Sequence, residues 1–171
     1  MSCLGVMFAI DEKMKEKLLS MKRTEIVDYV KDELEGNFFE EKRTHLAEFD
    51  KSWDATQRAF SNGKLRFEKD GEYPLNHFIC GERVLYGDGE NEEDYIITLN
   101  SPAVVKDIYS ALKLLDESTF RAKYDLIDEV EYGFPKSDDD FQYSWSWLQT
   151  SIEFWKTASE QNLYVLFTVD Q

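Results

Sequence analysis

The chain carries two spacings of apolar residues, one typical of strands and one typical of helices. Residues 3–10 are apolar almost throughout, and a second apolar run covers residues 163–169. Short continuous runs of this kind predict strands that are buried on both faces. Residues 84–86 and 95–99 are rich in strand formers and predict two more strands, while residues 64–70 alternate and predict an edge strand or an extended loop.

The stretch of residues 50–63 contains the signals of a complete helix. Asp50 is placed to cap the free amides of the first turn, and an Asn-Gly pair follows the last turn. Phe49, Trp53 and Phe60 share one face of this helix. We expect Trp53 to be the centre of packing, because burial of such a side chain stabilises a fold by roughly 2–3 kcal/mol.

Helical spacing of apolar residues marks several further segments, over residues 14–21, 26–34, 75–79, 102–115, 120–126 and 138–161. Gly36 is expected to end the second of these helices. Ser137, with Asp140 three residues later, predicts a capping box at the head of the longest helix. The segment 37–48 is mostly polar, and no regular element is predicted there.

About four strands, with one near each end of the chain, and about five helices between them predict a mixed α+β fold. The regular alternation of a doubly wound sheet is missing. A length of 171 residues suits one compact domain over residues 1–171, because such a chain buries about 70% of the surface that it exposes when unfolded.

Acidic side chains outnumber basic ones by 35 to 20, which gives a formal net charge of −15. This charge repels phosphate backbones and anionic lipids, so we expect neither a nucleic-acid partner nor a membrane surface. It is compatible with a basic protein partner and also with simple solubility. Two cysteines do not make a disulfide framework, and we expect a cytoplasmic protein with reduced thiols.

Motifs that carry chemistry are absent from the sequence. The chain has no HExxH or CxxC spacing and no glycine-rich phosphate loop, so we expect no metal and no cofactor. His45 and His77 are the two histidines, and a buried, inert thiol is the favoured interpretation of Cys80. The acidic tract 88–94 fails the calcium-loop pattern and is expected to be a solvated loop.

The longest predicted helix has two apolar faces. One stripe contains five residues, Phe141, Trp145, Leu148, Ile152 and Trp155, and the opposite stripe contains Tyr143, Trp147 and Phe154. The second stripe is covered within the monomer, or it is an interface for a partner or for a homodimer.

The order of these motifs resembles the YfbM-like family of bacterial proteins of unknown function. The resemblance runs nearly end to end, and its most specific parts are DKSWD at residues 50–54 and the segment 74–81. It implies a single domain and a bacterial cytosolic context, and it transfers no catalytic residue. Members of that family often carry a histidine where this chain has Gln57.

The sequence therefore predicts a non-catalytic binding or regulatory module for a protein or a small ligand. The alternative is a small-molecule enzyme whose site is assembled from separate segments around Trp53, Asp54 and His77. The candidate ligand-binding residues are polar or aromatic side chains near recognisable motifs: Trp53, Asp54, His77, Arg83 and Tyr95.

Overall fold

The computed structural model describes residues 3–66 and 70–170, which form one antiparallel sheet with helices on both of its faces. The strands are β1 (Gly5–Ile10), β2 (Leu46–Asp50), β3 (Arg83–Tyr86), β4 (Tyr95–Asn100) and β5 (Tyr164–Asp170). Their order in the sheet is β2-β1-β5-β4-β3. The predicted α+β class is confirmed, with one strand more than expected. The extended segment predicted over residues 64–70 lies partly outside the described residues, and residues 64–66 form no regular element.

The first and last strands lie side by side in the middle of the sheet, with Gly5 opposite Val169 and Ile10 opposite Tyr164. Side chains of β1 alternate between two cores. Met7 belongs to the core on one face of the sheet, and Phe8 belongs to the core on the other. Because both faces are covered, the strand needs apolar residues at every position, as the sequence predicted.

The layer on the Phe8 side of the sheet contains α1 (Glu12–Ser20), α2 (Arg23–Tyr29) and α3 (Glu35–Glu41), and a π-helical turn over Val30–Leu34 joins the last two. Gly36 lies inside α3, so the prediction that it ends the helix is wrong. A glycine inside a helix costs about 1 kcal/mol. Continuing the helix buries Phe38 edge-on against Phe8, with ring centroids 5.2 Å apart, and this gain outweighs the cost.

The opposite layer contains α4 (Ser52–Phe60), α5 (Pro102–Leu112), α6 (Glu117–Tyr124), α7 (Glu129–Tyr132) and α8 (Asp138–Glu160). The predicted start of α8 is confirmed, since the Ser137 hydroxyl accepts a hydrogen bond from the Asp140 amide at 3.1 Å. Pro102 opens α5 at its first position, as predicted.

Strand β2 occupies the end of the segment that was predicted to be irregular. Its residues alternate, with Ala47 and Phe49 buried and Glu48 exposed. Asp50 ends this strand with a positive φ of 48°, and α4 begins two residues later. Asp50 therefore does not cap the helix, and the Ser52 hydroxyl donates to the Phe49 carbonyl at 2.6 Å instead.

Gln57 holds the turn over residues 76–80 against α4. Its buried amide nitrogen donates to Ser61 Oγ at 2.6 Å and to the Asn76 carbonyl at 2.9 Å. Its amide oxygen accepts from the backbone amides of Ile79 at 2.7 Å and Cys80 at 3.1 Å. The position at which the resembling family often has histidine thus has a structural role in this chain.

Candidate functional site

The five predicted ligand-binding residues lie in different parts of the fold. Trp53 and Asp54 are on α4, and Tyr95 belongs to the core on the opposite side of the sheet. His77 is in a turn before β3, and Arg83 is exposed at the start of that strand. Among the cavities of the described residues, Tyr95 lines one and Arg83 lines another, and the structure does not bring the five together.

Trp53 is part of the core. It is 5% exposed, and its indole Nε1–H donates to the Cys3 carbonyl at 3.0 Å. The ring packs 5.9 Å from that of Phe167, centroid to centroid. A Cβ on Gly5 would come within 2.9 Å of the indole, so the glycine in β1 makes this close approach possible.

Asp54 is half-buried, and its charge is compensated within α4. Arg58 Nε donates to Asp54 Oδ1 at 2.5 Å, one helical turn away. Burial raises the pKa of Asp54 above its usual value, the Arg58 guanidinium opposes this rise, and the negative charge of Asp140 adds to it. Because protonation of Asp54 would break its ion pair with Arg58, this carboxylate is not available as a general base.

Asp140 at the head of α8 joins two neighbouring helices. Its carboxylate accepts from the Tyr124 hydroxyl at 2.5 Å and from the Tyr132 hydroxyl at 3.2 Å. Burial, more than the nearby carboxylates, raises the pKa of Tyr132 above its usual range. The hydrogen bonds of this cluster hold α6 and α7 to α8, which is a structural role.

His77 stabilises its own turn. The ring nitrogen Nδ1 lies 2.9 Å from the Gly81 carbonyl, and since a carbonyl oxygen only accepts, Nδ1 carries the proton. The His77 carbonyl accepts from the side-chain amide of Asn100 at 2.8 Å. Gly81 has a positive φ of 67°, and a Cβ there would meet Thr98 Cβ at 2.8 Å, so the predicted glycine stop is confirmed.

Tyr95 lines a cavity of about 410 Å³ at the ends of β1 and β4. The Tyr95 hydroxyl donates to Glu35 Oε1 at 2.6 Å. Burial and, less strongly, this carboxylate raise the pKa of Tyr95 above its usual range. The Lys31 ammonium lies 4.7 Å from the centre of the Tyr95 ring and 3.6 Å from Asp170 Oδ2.

The second stripe of α8 is exposed only at its N-terminal end. Tyr143 is 36% exposed and Trp147 is half-buried, with their rings edge to face at 6.4 Å. Phe154 is 5% exposed and packs against Trp155, so of the two predicted alternatives, cover within the monomer applies to this residue. Phe154 belongs to the core on this face of the sheet, and that contact is a tertiary effect that helical spacing does not contain.

Trp147 lies at the centre of an apolar surface with an acidic border, which we call the Trp147 face. It lines two adjacent cavities of about 220 and 450 Å³. The apolar members are Leu4, Val6, Phe39, Tyr143 and Trp147, and the carboxylates are Glu48, Asp50 and Asp139. Arg43 lies beside it, 3.7 Å from Glu48, and the Lys51 amide donates to the Tyr143 hydroxyl at 3.2 Å.

The sequence alone did not indicate the members of the Trp147 face that come from outside α8. Leu4 was assigned to a fully buried strand, although it is 45% exposed just before β1 begins. Glu48 and Asp50 lie on β2, the strand that was not predicted. Phe39 lies on α3, in the segment 37–48 for which no regular element was predicted.

Part of the acidic tract 88–94 forms an ion-pair network within the chain. The Arg23 guanidinium binds the carboxylates of Asp88 and Glu92, and Glu92 also accepts from the amides of Gly87 and Gly89. Arg23 and these amides lower the pKa of Glu92 to about 2. The expectation of a merely solvated loop is therefore wrong for these two carboxylates.

Cys80, the cysteine that the sequence offered as a nucleophile, is unreactive. Cys80 is buried, and burial raises the pKa of its thiol to about 12, far from the reactive range.

Within residues 3–66 and 70–170, no group of three or more histidine, cysteine, aspartate or glutamate side chains is arranged to hold a metal ion. In the same part of the chain, no helix is both long and apolar enough to cross a membrane.

Comparison with known proteins supports the fold and gives no activity. The crystal structure of a protein of unknown function, YfbM from Escherichia coli, superposes with a TM-score of 0.66 at 16% sequence identity. The match covers 97% of this chain and 99% of that chain, which shows that the two share a fold. No curated protein matches the sequence. The family model described as "Domain of unknown function (DUF1877)" matches residues 1–168, and the chain therefore belongs to the DUF1877 family.

Proposed function

We propose that the protein is a non-catalytic binding module that docks a basic protein partner on the Trp147 face. The observation that carries this proposal is an aromatic pair, Tyr143 and Trp147, left partly exposed on α8 and bordered by carboxylates. Tryptophan and tyrosine side chains supply much of the affinity of protein interfaces, because each buries a large area with few rotatable bonds.

The charges around the Trp147 face favour a basic partner over a second copy of the chain. A two-fold axis through this surface would bring Glu48, Asp50 and Asp139 against a copy of the same acidic surface, and each copy carries a net charge of −15. The burial of Phe154 also removes apolar area that a dimer would need. Lysine or arginine side chains opposite these carboxylates would instead be attracted and steered to the surface.

The alternative function, a small-molecule enzyme around Trp53, Asp54 and His77, has little support in the geometry. An active site requires a pocket in which a base, a nucleophile or an acid remains available to a substrate. Asp54 is held by Arg58, and His77 uses Nδ1 to bind its own turn. No specific observation therefore favours this second function.

Selection from a phage-displayed library of random peptides of about 12 residues tests the proposal. We expect enriched peptides to combine lysine or arginine with a bulky apolar residue, and to bind more weakly as salt rises. Trp147→Ser should weaken their Kd by about tenfold or more, which is the loss typical of an interface anchor. Leu114→Ser, which removes an apolar side chain that is 86% exposed elsewhere, is the matched control and should leave the Kd unchanged.

Three results would overturn the proposal: no enriched peptides, enrichment without basic residues, or equal binding by the Trp147→Ser variant. Circular dichroism must first show that this variant is folded, which is expected because Trp147 is only half-buried. Sedimentation of the wild type as a dimer that Trp147→Ser dissociates would assign the surface to a second copy instead.

A further inference from the structure

The Trp147 face is continuous with the Tyr95 cavity. Three residues, Leu4, Val6 and Phe39, line both the 410 Å³ cavity beside Tyr95 and the 220 Å³ cavity beside Trp147. The two cavities and the open surface over α8 therefore lie side by side, and together we call them the acidic groove. Leu4 and Phe39 lie in its middle, and the start of β1 passes beneath them.

The side chains along this groove are strongly biased toward negative charge. Five carboxylates line it, those of Glu35, Glu48, Asp50, Asp139 and Asp170, whereas Lys31 is the one cationic side chain among the described residues that line it. The carboxylates are distributed along the apolar middle from one end to the other. A complementary ligand therefore needs several positive charges in addition to an apolar group.

The Tyr95 end of the groove has the features that recognise an ammonium or guanidinium group. The Glu35 carboxylate, the Asp170 carboxylate and the face of the Tyr95 ring all lie at this end. The chain's own Lys31 shows how a cation fits, since its ammonium lies over the Tyr95 ring and near Asp170. Lys31 belongs to the π-helical turn that directly precedes Glu35, and π-turns interrupt helices frequently at functional sites.

We propose that the acidic groove binds one continuous basic segment of the partner, with an apolar side chain against Trp147 and an arginine or lysine in the Tyr95 cavity. This inference rests on the proposed function and specifies what the partner presents. The bound cation replaces Lys31 over the Tyr95 ring and pairs with Glu35 and Asp170. The carboxylates of β2 attract the flanking basic residues.

Variants at the Tyr95 end test the inference with the peptides enriched on the wild-type protein. The double variant Glu35→Gln/Asp170→Asn should weaken their Kd by about tenfold, as expected for the loss of a charged contact, and the new amide oxygen at position 35 can still accept from the Tyr95 hydroxyl. The control Glu129→Gln/Glu160→Gln removes the same charge from exposed positions elsewhere and should change the Kd by less than about twofold.

Two further measurements test the direct contact, and the second of them separates it from a general electrostatic effect. Lys31→Ala should tighten binding severalfold, because the competing ammonium is gone; an unchanged or weaker Kd would contradict direct competition. Replacing one peptide arginine by glutamine should weaken binding to the wild type and have little effect on the double variant. If Trp147→Ser abolishes binding while the double variant binds normally, the proposed function stands and the inference about the groove is wrong.

Discussion

Replacing Gln57 by leucine should destabilise the protein far more than the loss of an exposed glutamine side chain would. Leucine is one carbon shorter than glutamine but has a similar volume, so the substitution removes the hydrogen bonds and leaves a small cavity at most. Three backbone groups in the buried turn would lose their hydrogen-bond partner: the amides of Ile79 and Cys80 and the carbonyl of Asn76. Gln57 itself is fully buried, so solvent cannot take its place.

The expected loss follows from the number of groups left unpaired. A buried backbone group without a hydrogen bond costs about 1–3 kcal/mol, and the variant leaves three such groups. The apolar leucine side chain and some relaxation of the turn offset part of this cost. We therefore expect Gln57→Leu to lower the free energy of unfolding by about 3–5 kcal/mol, a large share of the 5–15 kcal/mol typical of a domain.

Urea unfolding followed by circular dichroism and tryptophan fluorescence measures this loss through the shift of the midpoint. Gln149→Leu, at an exposed position of α8, is the matched control and should change the free energy by no more than about 0.5 kcal/mol. A loss below about 1 kcal/mol for Gln57→Leu would refute the argument, because it would mean that the turn over residues 76–80 finds other partners.

Two other variants test the loop network and the core. Arg23 and the loop amides lower the pKa of Glu92 in the folded state to about 2, so this carboxylate stabilises the fold above its unfolded pKa of about 4.5 and loses that effect as pH falls toward 2. The urea midpoint of Glu92→Gln should therefore lie below that of the wild type at pH 7, and the two midpoints should converge near pH 2. A difference between the midpoints that does not change with pH would exclude a contribution from the ionisation of Glu92. Trp53→Ala should cost about 3–5 kcal/mol, because it empties a core site against Phe167, and a melting curve close to that of the wild type would show that Trp53 is not a core residue.

The elements that could be predicted from the sequence are those whose signals are local or whose burial is complete. Strands β1 and β5 are apolar at nearly every position because both of their faces are covered. The head of α8 was predicted correctly because Ser137 caps it with its own side chain, and Gly81 ends its turn because only a glycine fits there. In each case the residue type and the structure are linked within a few positions of the chain.

The wrong predictions fall where tertiary packing overrides a local signal. Asp50 has the residue type of a helix cap, yet pairing of β2 with β1 extends the strand through this position. Gly36 has the residue type of a helix stop, yet the core beyond it needs Phe38. Asp88 and Glu92 had the composition of a solvated loop, and their partner Arg23 is more than 60 residues away. No window of neighbouring residues contains that information.

The acidic groove illustrates the same limit at the level of function. Helical periodicity placed Tyr143 and Trp147 on one face of α8, where their rings contact each other, and the net charge predicted attraction for basic groups. Neither signal locates a site, because the groove is lined by residues from six separate segments: the start of β1, the stretch from the π-helical turn into α3, the end of β2, the start of β4, α8 and the end of β5. Where these segments meet, charge that is spread over the whole sequence becomes a local pattern around an apolar centre. Neither the charge nor the aromatic stripe provides that combination alone, and it is the basis of our proposal that the groove binds a basic segment with one apolar anchor rather than a second copy of this acidic chain.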